Sequence, residues 1–123
     1  MGVVQHEGRV VHLTGQVAWD ADEEIVGRGD VGSQTEQCFD NIARVLGEVG
    51  GCLADLVSVT TYFVDHTHLP AIQAVRAARF PPPGAPVSTS VMVVGLGHPD
   101  FLVELTAVAV VPERRFREPA VPS

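Results

Sequence analysis

A single carboxylate, Glu104, interrupts the otherwise apolar run FLVELTAVAVV near the end of the chain. An ionised side chain in such a strand is costly unless it is paired or faces a cleft. An acid facing a cleft is placed to move protons as a general acid or base. The structural alternative is a glutamate satisfied by backbone donors or by an arginine across an interface. A second unusual stretch is FPPPGAPVSTSVMVV, from Phe80 to Val94, where a proline run gives way to Ser88, Thr89 and Ser90. Three consecutive hydroxyls suit the wall of a polar cleft better than a core strand. No histidine stands at a local spacing that would activate Ser90, so it reads as a hydrogen-bonding group and not a nucleophile. Five histidines raise the question of metal. Asp65, His66 and His68 in DHTH offer two ligands but place no third, so this segment reads as a solvated loop and no metal is expected. His98, in the turn GLGHPD, is a looser candidate for a cleft.

The chain has 123 residues, 46% of them hydrophobic and 19% charged, which suits one soluble domain with a single core. The formal net charge is −7, and all eight basic residues are arginine. Without lysine, a Schiff-base mechanism and a P-loop lysine are excluded. An acidic chain also lacks the basic surface that nucleic-acid binding needs. The apolar runs are too short to span a bilayer. The start MGVVQHEGR lacks the basic and apolar regions of a signal peptide, so a cytoplasmic protein is expected, without disulfides between Cys38 and Cys52. The domain is expected to occupy residues 1–112, with 113–123, including ERRFRE, forming a polar, solvated tail.

Several elements must position these residues. RVVHL, Arg9 to Leu13, reads as a strand ending at TGQ, and VAWDADEEIVGRGD as a loop or irregular hairpin. From Ser33 the period changes: Cys38, Ile42, Val45, Leu46 and Val49 form one apolar helical stripe, stopped at Gly50-Gly51. LVSVTTYFV, Leu56 to Val64, is a β-branched and aromatic strand with Val57, Val59, Thr61 and Phe63 on one face. A second helix is predicted from Leu69 to Arg79, with Pro70 in its first turn and Ile72, Val75 and Phe80 buried. Val87 to Val94 and the last apolar run are predicted to form a hairpin, the final strand being buried on both faces apart from Glu104 and Thr106. The fold class is α+β, two helices on one face of a mixed sheet. The other face carries enough apolar area to predict a homo-oligomer.

Read in order, several segments resemble the reactive-intermediate deaminase family, also called Rid or YjgF-like and endoribonuclease L-PSP-like. GRVVHLTGQVAWD resembles its opening strand and SGQ turn. QTEQCFDNIARVLGEVGG resembles its first helix, with Gln34, Thr35, Gln37 and Asn41 in place. LADLVSVTTYFVD and LVELTAVAVV resemble its later strands. The resemblance spans roughly Gly8 to Val111. It implies a chorismate-mutase-like fold, a homotrimer with clefts between subunits, and hydrolysis of small reactive enamines or imines without metal or organic cofactor.

The same resemblance assigns roles residue by residue. Glu104 stands where relatives hold the attacking water, and Thr14 and Gly15 match a serine–glycine pair at the cleft. For Gly15 the structural alternative is a turn needing positive φ. Gln73 falls where relatives have an asparagine facing the ligand, or is simply a solvated helix residue. Ser90 stands where some have cysteine. Trp19 either lines the pocket or packs at an interface, the latter being favoured. The family's P-A-R-S motif falls on Pro86, Val87, Ser88 and Thr89, so Ser88 replaces the arginine that grips a substrate carboxylate. No N-terminal tyrosine is present either. A hydroxyl recovers only part of a guanidinium's grip, so the substrate expected is not 2-aminoacrylate but a neutral or bulkier small molecule. The competing expectation is a non-catalytic trimer that binds a small metabolite. Ribonuclease activity, described for some relatives, is the weakest of the three.

Overall fold

A computed structural model describes residues 2–119 of the chain. Its main elements are β1 (Arg9–Gln16), α1 (Val31–Gly47), β2 (Leu56–Phe63), α2 (Leu69–Arg79), β3 (Val87–Met92) and β4 (Val103–Val111). Short 3-10 turns at Leu53–Asp55 and His66–His68 lead into β2 and α2. The four strands make one mixed sheet in the order β1-β4-β2-β3. β4 runs antiparallel to both neighbours, and β2 and β3 are parallel. The α+β architecture expected from the sequence is the one observed.

Local chemistry explains the helices. Asp30 caps α1 by accepting from the Ser33 N–H, so the helix starts two residues before Ser33. Its stripe buries Cys38, Phe39, Ile42 and Leu46 against Val103, Leu105, Ala107 and Ala109 of β4 in one shared core. Beyond the helix, Gly50 adopts φ +82°, the left-handed conformation that stops a helix most cheaply in glycine. α2 begins with Pro70 in its first turn and buries Ile72, with Phe80 just past its end. The segment DHTH is not a loop: Asp65 accepts from the Thr67 N–H and hydroxyl and caps the turn that launches α2.

Three expectations about the strands are corrected. β3 and β4 do not form a hairpin, because the α2 crossover lays β3 parallel against β2, while β4 inserts between β1 and β2. Their hydrogen-bonding edges are therefore used up by other partners. β4 is buried on both faces only over Ala109 to Val111: Val108 is half-buried as Glu104 and Thr106 are, so Val103 to Val108 has one packed face. In β2 a register shift between Leu56 and Ser58 breaks the alternation, so Leu56, and not Val57, is buried with Val59, Thr61 and Phe63.

The segment after β4 also departs from a solvated tail. Arg115 makes a bidentate pair with buried Asp55, at 2.7 and 2.9 Å, and donates to the Gly50 carbonyl. Arg117 donates to carbonyls at the end of α1. Burial opposes ionisation of Asp55, but the Arg115 hydrogen bonds and the Cys52 N–H outweigh it, and the carboxyl is held below its ordinary value. Replacing Arg115 with Met should lower stability at pH 7, because it leaves the buried Asp55 carboxylate without its bidentate partner. Since the folded pKa of Asp55 lies below the unfolded one, this contribution is complete above 3.8 and is lost as pH falls through the folded value. Urea midpoints of parent and variant should therefore differ at neutral pH and converge in acid. A gap independent of pH would contradict the assignment.

Candidate active site

Strand alternation divides the chemically interesting residues between two faces of the sheet. Ser88 pairs in register with Val59, and Ser90 with Thr61, both buried on the helix side. Glu104 lies between Val103 and Leu105, which face that core, and pairs with Tyr62. Its side chain therefore points to the opposite face. Thr60, Thr89 and Thr106 form the adjoining row across that face. The three hydroxyls of the sequence are thus split, Ser88 and Ser90 on one side and Thr89 on the other. They are tolerated because β3 is an edge strand with Ser88 to Met92 all exposed.

Gly15 is fitted to Glu104. The β1–β4 register shifts between Leu13 and Gln16, leaving Thr14 and Gly15 in an irregular segment beside the carboxylate. A Cβ on Gly15 would lie 2.6 Å from Glu104 Oε2, which no ordinary contact permits. Gly15 is not among the residues with positive φ. The turn explanation is thereby corrected: glycine here leaves room for the carboxylate, which a side chain would push aside. None of the ion pairs formed by the described residues uses Glu104.

The chain beyond Gly15 is held by buried amides on α1. Asn41 donates from Nδ2 to the carbonyls of Val17 and Trp19, both at 2.9 Å, and accepts from Gln37. Gln34 is fully buried, donates to the Asp100 and Gly27 carbonyls and accepts from the Leu102 N–H, fixing the approach to β4. Trp19 leans on Phe101, with ring centroids 5.8 Å apart, and His98 also lies against Phe101 at 5.5 Å. Trp19 and Gly15 line a cleft of about 300 Å³ together with Asn41 and Arg44. The sequence carries a signal for the amides: Gln34 and Asn41 are seven apart, on the stripe side of the helix, where a polar residue must find buried partners.

Ser88 and Gln73 meet elsewhere, in a cavity of about 270 Å³ between α2 and β3 that Arg76 also lines. Within one chain the structure therefore brings together Glu104, Gly15 and Thr14, and separately Ser88 and Gln73. Ser90 shares the face of Ser88 but does not line its cavity. Among the described residues, no group of three or more His, Cys, Asp or Glu stands close enough to hold a metal ion. Burial, with the Glu104 charge adding to it, pushes the Cys38 thiol up to about 12, so it is no nucleophile at neutral pH. No helix of the described residues is long and apolar enough to cross a membrane.

Comparison with known proteins gives a consistent picture. The model of the endoribonuclease L-PSP family matches residues 2–111. The 3-aminoacrylate deaminase RutC of Acinetobacter baylyi is 33% identical over 100 residues, covering 81% of this chain and 78% of that protein. YyfB of Yersinia pestis, described as a protein of unknown function of the conserved Rid family, is 37% identical with a TM-score of 0.83, covering 89% of this chain and 84% of its own. RidA from an Antarctic Psychrobacter is 26% identical with a TM-score of 0.77, covering 86% and 84%.

Asn41→Ala removes the Nδ2 bonds to Val17 and Trp19, leaving the Val17 carbonyl only the Trp19 N–H and the Trp19 carbonyl only Gln37 Nε2, at 3.3 Å. A stability loss of about 1–3 kcal/mol is expected in urea titration. Trp19 is the only tryptophan, so its emission should shift to the red in the folded variant. Unchanged emission and an unchanged midpoint would show that Asn41 does not position this segment.

Proposed function

The chain belongs to the endoribonuclease L-PSP family, the Rid or YjgF-like proteins, and on that premise we propose that it is a deaminase-like hydrolase of small reactive imines or enamines. The observation that carries this reading is the Glu104 carboxylate, unpaired on the central strand and packed against a glycine that leaves it room. An acid so placed takes a proton from water as the oxygen attacks the C=N carbon. It returns that proton to the nitrogen to give a carbinolamine, whose hydroxyl proton then passes through the same carboxylate to the nitrogen as the C–N bond breaks, releasing a carbonyl compound and ammonia. Thr14 and Gly15 border the reacting centre, and Trp19 lines the adjoining cleft that Gly15 shares. The 33% identity to a 3-aminoacrylate deaminase supports C–N chemistry of this class.

Ser88, Ser90 and Gln73 orient the substrate in this reading, and they must come from a second copy of the chain, since they lie on the other face of the sheet from Glu104. A homotrimer with clefts between subunits satisfies that requirement. Exposed Val10 and Val91 on the face of Glu104 support burial of that surface against a neighbour. With Ser88 at the usual arginine position, the substrate is something other than 2-aminoacrylate. A net charge of −7 and the absence of lysine weigh against RNA as substrate.

Glu104→Gln should reduce ammonia release from imines, generated in situ by an amino-acid oxidase, by about 100-fold or more. Gly15→Ala should lower it by at least about tenfold, through displacement of the carboxylate. Light scattering should report the same trimer for both variants as for the parent. Full turnover in Glu104→Gln would remove the acid from the mechanism. Ligand binding without turnover in the parent would favour the non-catalytic metabolite-binding trimer.

A further inference from the structure

Arg76 has no acid partner among the described residues, in a chain that has 15 acids and eight bases. One turn on, Arg79 is fully engaged, with Nε and Nη2 on Glu36 and a further bond to Asp40. Arg28 pairs with Asp100, and Arg115 with Asp55. Arg76 makes no such pair among the described residues, and its Nη1 is buried with no hydrogen-bond partner. Burial alone draws its pKa below the ordinary arginine value, with no compensating neighbour. A guanidinium nevertheless stays charged at any ordinary pH, so the N–H groups remain as donors in search of an anion.

The surroundings say which anion. Arg76 lines the cavity of about 270 Å³ with Gln73 and Ser88, which are polar, and with Ala77, Phe80 and Pro86, which are not. That volume is several times the roughly 30 Å³ share of one water in the liquid. It has room for a carboxylate and an apolar group attached to it. A planar fork of donors matches a carboxylate in two parallel bonds, and Ser88 and Gln73 have further donors to offer.

We propose that Arg76, from α2, is the substrate-carboxylate anchor of this protein, aided by Ser88 and Gln73, and that the apolar wall selects a carboxylate-bearing imine or enamine with a side chain larger than a vinyl group. This rests on the deaminase-like reading above and narrows it from neutral or bulkier to bulkier and anionic. The cation missing from the edge strand is supplied from the facing helix, on the same side of the sheet as Ser88.

The test uses binding of an unreactive probe to the full-length protein, so that it stands apart from turnover. Titration calorimetry should show butyrate binding at least about tenfold more tightly than butyramide, its neutral isostere. In Arg76→Gln the two should fall within about twofold of each other, while circular dichroism reports an unchanged melt. Arg76→Lys keeps the charge but loses the fork, and its preference should drop by at least about threefold. That variant decides the matter if Arg76→Gln does not fold. An equal affinity for the two probes in the parent, or a preference undiminished in either variant, would overturn the proposal. Loss of hydrolysis in Glu104→Gln with butyrate preference retained in Arg76→Gln would overturn this anchor and leave the proposed function standing. Full turnover in Glu104→Gln with preference lost in Arg76→Gln would do the reverse.

Discussion

The packing of α1 on the inner face of β4 governs everything else in this small domain. β4 is the most apolar segment of the chain, and only a central place between β1 and β2 satisfies both of its backbone edges. Once Val103, Leu105 and Ala107 face the helix, a period of two dictates that Glu104 and Thr106 face away. A slip of one residue would bury the acid and expose three core side chains, so the register is strongly specified. The position of the carboxylate is therefore a consequence of how the core is built. No local device holds it on that face.

A second layer of specification comes from buried amides. Gln34 and Asn41 each satisfy carbonyls of irregular segments that no strand or helix would otherwise fix. Buried polar networks of this kind stabilise little net of desolvation, but a wrong arrangement leaves several groups unpaired at once. They convert loops into parts of the scaffold. The segment around Trp19 and the approach to β4 are thereby tied to the same helix that fills the core. The Asp55–Arg115 pair does the same for the chain after β4.

The elements were largely legible in the sequence, because an apolar stripe of 3.6 period and β-branched runs state their secondary structure locally. Pairing was not. Val87 to Met92 and Val103 to Val111 are consecutive strands across a short turn-rich segment, which suggests a hairpin, but the choice between that and a parallel crossover depends on which edge each strand can offer once all four are present. The same limit applies to the site. Glu104 announced itself as an acid in an apolar run, whereas the reason for Gly15 is a contact between residues 89 positions apart, visible only in space. Ser88, Thr89 and Ser90 looked like one cleft wall and proved to face two sides. Arg76 could be picked out in the sequence only as an arginine on the second helix able to replace the missing one; nothing there placed it beside Ser88, since an arginine on an amphipathic helix is usually solvated.

The separation of acid and guanidinium has a physical logic. On one face, within reach of each other, Glu104 and an arginine would form an ion pair whose attraction a substrate would have to break before using either group. Placed on opposite faces of a single sheet, neither can neutralise the other within the chain. Glu104 remains without an ion-pair partner, and Arg76 keeps a buried donor unused. Arg76 then carries a desolvation cost that a complementary ligand relieves, and this difference between empty and filled states favours selective binding. A reaction needing both groups would have to take them from two copies of the chain. Activity would then be tied to assembly through the alternation of the strands alone, with no further regulatory element.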